Sequence, residues 1–276
     1  MATTPSAADF DRDTAVAAAG DGAWSATISE HWGVPPRNGP NGGYIAAMVL
    51  RAMLAQLDDP ARAPRSLTLH YLRPPAPGPC TLHVTVERTG RSLSSLSARM
   101  VQNGQTLVVA LGAFAPDFPS AATYAQAPPD VGPPPAQLRI APTDAGLPPI
   151  AHRTAVAPVF GGKPYSGSDD ALTGGWLRLA QPRVPDALAL AFYADAWLPS
   201  AYTRLTAPAP APTIDLTIHF RTRLPHPGMA PEDPVLARFS SSTAFGGFFE
   251  EDGALWAPDG TLLVQSRQLA LLYPGS

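Results

Sequence analysis

The chain spells one strand-like pentapeptide twice, as Leu67-Thr68-Leu69-His70-Tyr71 and again as Leu216-Thr217-Ile218-His219-Phe220. The copies stand 149 positions apart in 276 residues. That spacing is about one small domain, which points to an internal duplication. A second pair follows in the same order: Gly104-Gln105-Thr106-Leu107-Val108-Val109 and Gly260-Thr261-Leu262-Leu263-Val264-Gln265, each a turn leading into an apolar strand. If two related halves pack together, polar residues kept in only one of them are the places to look for chemistry.

Each half reads as one buried helix followed by long antiparallel strands. Residues 44–57 contain no Gly or Pro, and Ile45, Met48, Val49, Met53 and Leu54 recur at helical steps. The turn Asn38-Gly39-Pro40-Asn41-Gly42-Gly43 precedes that helix. Strands are expected at 66–72, 81–88, 94–102 and 106–114, with Asn103-Gly104 as a hairpin turn. The second half repeats the order, with a helix over 185–202 that Pro199 should end or kink. Its strands are expected at 213–222, 235–242, 244–251 and 262–272. Between the halves, prolines crowd residues 116–149, where a central strand or long helix is disfavoured. The expected organisation is an N-terminal unit over 1–115, a Pro-rich linker over 116–160 and a C-terminal unit over 161–276. Helices apolar on most sides are buried, and a curved sheet wrapped around each would bury them.

Composition excludes several classes. The net charge is −3 with no basic stripe, which argues against a nucleic-acid partner. The single cysteine, Cys80, excludes an intrachain disulfide and suits a reducing compartment. The first 19 residues lack the pattern of a signal peptide, and no apolar run is long enough to span a membrane, so a soluble cytoplasmic protein is expected. The six histidines show no metal-ligand spacing, no dinucleotide fingerprint is present and no G-x-S-x-G elbow occurs; neither a metal nor a cofactor is expected.

The chain resembles the acyl-CoA thioesterase II (TesB-like) family. The resemblance is carried by N-G-G-Y at 41–44, the strand at 67–74, G-R-S at 90–92, G-G-W at 174–176, Y-A-D-A-W at 193–197, T-I-D-L-T at 213–217 and Q-S-R-Q at 265–268. It implies an α+β double hotdog, two tandem repeats that each wrap a curved antiparallel sheet around a long central helix. It further implies that Asp195, Thr213 and Gln268 orient and activate the water that attacks a thioester, and that Arg91, after Gly90, meets the phosphates of coenzyme A. Arg73, Arg88 and Arg178 are further candidates for that contact.

The residues can also be weighed alone. Asp195 follows the apolar run 188–194, and a buried carboxylate is normally hydrogen-bonded or functional. Burial raises its pKa and donors lower it, and a carboxylate between those tendencies can act as a general base toward water. The alternative is a structural Asp beside a turn. Thr213 opens a strand, where Thr is common for its β-propensity. Gln268 interrupts an apolar strand, and alternation would place it with Ser266 on the face opposite Gln265 and Arg267. Gly43 and Tyr44 open the first helix, where amide hydrogens could polarise a substrate carbonyl; the competing reading is a tight loop that needs glycine for its backbone angles.

The expected function is hydrolysis of a fatty or related acyl-CoA to free acid and CoA by direct water attack. The alternatives are a non-catalytic acyl-CoA binder or a hotdog-fold enoyl-CoA hydratase, against which stands the lack of a His near Asp195. A homodimer or higher homo-oligomer would cover the edge strands.

Overall fold

A computed structural model of the chain describes residues 9–34, 39–142 and 146–274. Asn38 of the expected turn lies outside those ranges. The described residues hold three α-helices, α1 (Asp9–Asp13), α2 (Gly42–Leu57) and α3 (Ala187–Tyr193). The longer strands, in chain order, are β1 (Val16–Gly20), β2 (Ala23–Ile28), β3 (Ala63–Tyr71), β4 (Gly78–Thr89), β5 (Ser94–Gln102) and β6 (Gln105–Ala115) in the first half. The second half holds β7 (Thr154–Phe160), β8 (Ala171–Leu179), β9 (Thr213–Phe220), β10 (Val235–Ser241), β11 (Phe248–Trp256) and β12 (Leu262–Leu271).

These strands, with short segments at Arg139–Ile140 and Ala244–Phe245, form one antiparallel sheet of 14 strands. Its order is β1-β2-β4-β5-β6-β3-β9-β12-β11-β10-β8-β7. Read outward from the centre, each half runs in the same sequence: the strand after its helix, then its last, second-last and third-last strands, then the strand before its helix. The duplicated pentapeptides make the central seam. Thr68 is opposite Thr217, Leu67 opposite Ile218 and Leu69 opposite Leu216. The Thr68 and Thr217 hydroxyl oxygens are 3.1 Å apart, so equivalent residues of the repeat meet on a local two-fold.

The expected strands align closely with β3 to β6, β9, β10 and β12, whereas the one expected at 244–251 lies at Phe248–Trp256. The hairpin between β5 and β6 turns on Asn103 and Gly104, both with positive φ, as a tight two-residue turn requires. Four strands are absent from the sequence expectation. β1 and β2 are rich in Ala and Ser, which carry little strand signal. β8 contains Gly174 and Gly175, and a Cβ at those positions would lie 2.2 Å from the Ala237 carbonyl oxygen and 2.1 Å from that of Ala157. Glycine is therefore set by the close approach of β10 and β7. β7 falls inside the expected linker of 116–160, so that linker is shorter than expected. Pro158 is tolerated there because, among the described residues, the strand outside β7 pairs with Ala155 and Val156 and not with Pro158.

α2 is buried almost all round, from Gly43 to Leu50 and at Ala52 and Met53. Its one basic residue, Arg51, reaches Asp11 and Thr14. Asn41 caps it by accepting from the Tyr44 amide at 2.9 Å, and Asp58 closes it in the left-handed region. α3 corrects the expectation of a long second helix. It holds seven residues, all buried, and ends at Tyr193 rather than continuing to 202. Pro199 has no N–H to give the carbonyl of Asp195, and it disfavours helical angles at the residue before it. That carbonyl accepts from the Asn41 side chain at 2.7 Å instead. An aromatic cluster ties the helices together: Trp32 stacks on Tyr44 at 5.4 Å and meets Phe192 edge-on at 5.1 Å, while Phe10 packs against both Trp32 and Phe192.

Candidate active site

The first turn of α2 is pressed against the end of α3, and two glycines permit it. A Cβ on Gly43 would stand 2.5 Å from the Phe192 carbonyl oxygen, and one on Gly42 would stand 2.8 Å from Asp195 Oδ2. The carboxylate of Asp195 therefore sits directly on the helix start. Its Oδ2 accepts from the Gly43 amide at 2.9 Å and from Asn41 Nδ2 at 3.2 Å. The Tyr71 hydroxyl, next to this carboxylate, donates to the Gly42 carbonyl at 2.8 Å.

Burial dominates the electrostatics. It pushes Asp195 up to about 7, and the negative charge of Glu251 adds to the rise. The Gly43 amide and the side chains of Gln268 and Asn41 pull the other way and are outweighed. A carboxyl raised toward neutrality in this way is suited to act as a general base toward water.

Gln268 is buried on the inward face of β12 with Ser266, while Arg267 is exposed on the other, as alternation predicts. Its Oε1 accepts from the Thr213 hydroxyl at 2.8 Å, and its Nε2 donates to Glu251 Oε1 at 2.8 Å. Thr213 opens β9, where the ladder with β12 shifts register between Thr213 and Asp215. Gln268 bonds Thr213 and Glu251, and its side chain also lies close enough to Asp195 to lower that carboxyl by hydrogen bonding. Gln268 on β12 thus stands beside both Asp195, from the segment after α3, and Thr213, at the start of β9.

Two expectations are corrected by the geometry. The Gly43 amide donates to Asp195 and the Tyr44 amide to Asn41, so neither is free for a substrate carbonyl in this arrangement. The two glycines serve close approach, which neither sequence reading anticipated. Arg91 is exposed in the turn between β4 and β5, where Arg62, just beyond the C-terminal end of α2, reaches the Gly90 and Arg91 carbonyls. A helix of 16 residues is about 24 Å long. Arg91 therefore lies toward the end of α2 opposite to the one that holds Asp195. Arg73 and Arg178 each donate to backbone carbonyls nearby, of Thr106 and of Leu179 and Ala180. Cys80 is buried and its thiol is pushed up to about 11 by burial, which leaves it a poor nucleophile.

Glu251, Asn41 and Tyr71 surround the site without having been singled out from sequence as members of it. Glu251 had a readable signal. It shares the inward face of β11 with Phe249, Gly253 and Leu255, and an acid at an inward position needs partners. Because the strand was expected to end at 251, Glu251 read as a terminus. Among the described residues no helix is long and apolar enough to cross a membrane.

Comparison with known proteins agrees with this architecture. The chain matches the acyl-CoA thioesterase N-terminal domain over residues 29–115 and the acyl-CoA thioesterase C-terminal domain over residues 122–272. None of the curated proteins matches it. A hot dog fold protein of unknown function from Alicyclobacillus acidocaldarius superposes with a TM-score of 0.82 at 27% identity, over 98% of this chain and 100% of that one. A putative thioesterase II from Thermobifida fusca gives 0.80 at 26% identity, over 96% and 98%. The acyl-CoA thioesterase II TesB2 from Mycobacterium marinum shares the fold with a TM-score of 0.75 at 19% identity, over 97% and 99%. The chain belongs to the acyl-CoA thioesterase II (TesB-like) family and is a thioester hydrolase.

Proposed function

We propose that the chain hydrolyses acyl-CoA by direct attack of water, with Asp195 as the general base and Gln268 and Thr213 positioning the water. We read the fold as a double hotdog whose catalytic apparatus sits where the start of α2 meets the end of α3. The observation that carries the proposal is the Asp195 carboxyl, raised to about 7, with Gln268 beside it and Thr213 bonded to Gln268. A water between them would donate one hydrogen to Asp195 and the other to the remaining lone pair of Gln268 Oε1. Its own lone pair would then point at the thioester carbon. As the C–O bond forms, Asp195 takes the proton. The C–S bond then breaks, and the proton passes to the departing thiolate. No covalent enzyme intermediate is required. The positive end of α2 acts through the carboxylate it holds rather than on the carbonyl.

The test is thiol release from acyl-CoAs of short to long chain, with wild type beside Asp195→Asn. Release that collapses in the folded variant supports the proposal, and the wild type then reports the chain-length preference. Equal rates in both proteins would remove Asp195 from the mechanism. No release from any acyl-CoA would favour an acyl-CoA binder or a hydratase.

A further inference from the structure

Gln268 can position water only if its amide faces the right way round. A primary amide is nearly symmetric in shape, so packing alone sets its orientation weakly, and hydrogen bonds must decide it. One orientation turns Oε1 toward Thr213, and the flipped one turns the NH2 there. On the far side of the amide stands Glu251, buried on the inward face of β11 and register partner of Gln268. Its Oε1 accepts from Gln268 Nε2 at 2.8 Å, and its Oε2 accepts from the Ser200 amide in the turn after α3. An ionised carboxylate accepts only, so it admits the NH2 and excludes the oxygen; burial raises Glu251, and the Ser200 and Gln268 donors favour its ionised form.

We propose that Glu251 is a positioning residue: it locks the Gln268 amide with Oε1 toward Thr213, and through the Ser200 amide it ties that lock to the segment carrying Asp195. This rests on the reading of Gln268 as a water-positioning group. The charged and titratable groups around Glu251 are Asp195 on the segment after α3, its strand neighbour Glu250, and Tyr71 on β3 beside Asp195; Arg267 points to the opposite face and pairs with Asp252. Burying a carboxylate beside Asp195 is costly, and a neutral Gln would fill the same space. Retaining the acid is explained by the acceptor-only chemistry that a Gln lacks.

Glu251→Gln has one acceptor oxygen for two donors, Gln268 Nε2 and the Ser200 amide. The Gln268 amide is then free to flip, and kcat is expected to fall about tenfold or more with KM little changed. The acid limb of kcat/KM should move to lower pH, because removing the Glu251 charge lowers Asp195. In a Gln268→Ala background the same change should slow the enzyme no further. An undiminished effect in that background, or a limb that stays in place, would reduce Glu251 to a structural acid. Should Glu251→Gln fail to fold, the wild type still decides. The side-chain amide resonance of Gln268, assigned by its loss in Gln268→Ala, should exchange slowly and shift as a buried glutamate titrates. A rapidly exchanging, pH-independent resonance overturns the proposal. If this resonance behaves as expected but the wild type releases no thiol, the lock holds and the catalytic reading is what fails.

Discussion

Leu67 and Leu216 open the two copies of the repeat, yet the strands beside them differ. Leu67 pairs with Gly112, and Gly112 with Leu96. Leu216 pairs with Gln268, and Gln268 with Glu251. At one rung of a duplicated ladder, the first half holds Leu-Gly-Leu and the second Leu-Gln-Glu. The space over Gly112 is taken by Phe114 and by Met53 of α2, which a Cβ there would meet at 2.7 and 2.9 Å. In the second half the corresponding space is kept for polar side chains. The helices differ in the same sense. α2 continues for 16 residues and fills its half with apolar side chains, whereas α3 stops after seven and leaves Asp195 at its end. On the proposed reading, duplication left one half as packing and the other as chemistry, with the helix start of the first half holding the Asp195 carboxylate of the second.

This asymmetry can be broken at several points. The largest effect is expected from Asp195→Asn, with thiol release falling by about 10²–10⁴, the range of general-base catalysis. The same variant should unfold at a higher temperature than wild type, and the gap should widen as pH rises. The sign follows from the raised carboxyl: between its ordinary 3.8 and about 7, the folded wild type binds a proton that the unfolded chain has released, so its stability falls as pH rises through that window. Thermal melts at pH 5 and pH 8 check it.

Gln268→Ala should cost about 10² in kcat, the penalty for a misplaced nucleophile. Its counterpart Gly112→Ala should leave kcat and its pH profile unchanged while crowding Phe114 and Met53, at about 1–3 kcal/mol of stability. Denaturant titration and steady-state kinetics on the two variants separate packing from chemistry. In the wild type, kcat/KM should fall about tenfold per pH unit below an acid limb near pH 7. Asn41→Ala should have the smallest effect, about 1 kcal/mol for the lost helix cap. It should also move that limb to higher pH, because a donor that lowers Asp195 is gone.

Much of this was legible in the chain itself. The repeat placed β3 and β9 as equivalents, alternation put Gln268 inward with Ser266, and Asn103-Gly104 marked its hairpin, because each signal lies within a few residues. Asp195 stood out as a charge after an apolar run. β1, β2, β7 and β8 were not legible, since their Ala, Gly and Pro residues carry little strand signal and become strand only once neighbouring strands pair with them. The length of α3 was open for a related reason, because Pro199 allowed either a stop or a kink. The Asn41 side chain, 154 positions away, accounts for the carbonyl that the stop leaves unbonded.

By itself, then, the sequence determined the duplication, the alternation of faces and which residue types were available for chemistry, all set by local periodicity and backbone preference. Only the tertiary structure decided that the Gly43 amide donates to Asp195, that Arg91 stands toward the opposite end of α2, and that Glu251 lies behind Gln268. Those outcomes depend on which donors and charges burial brings within about 3 Å of one another, and no spacing along the chain encodes that distance.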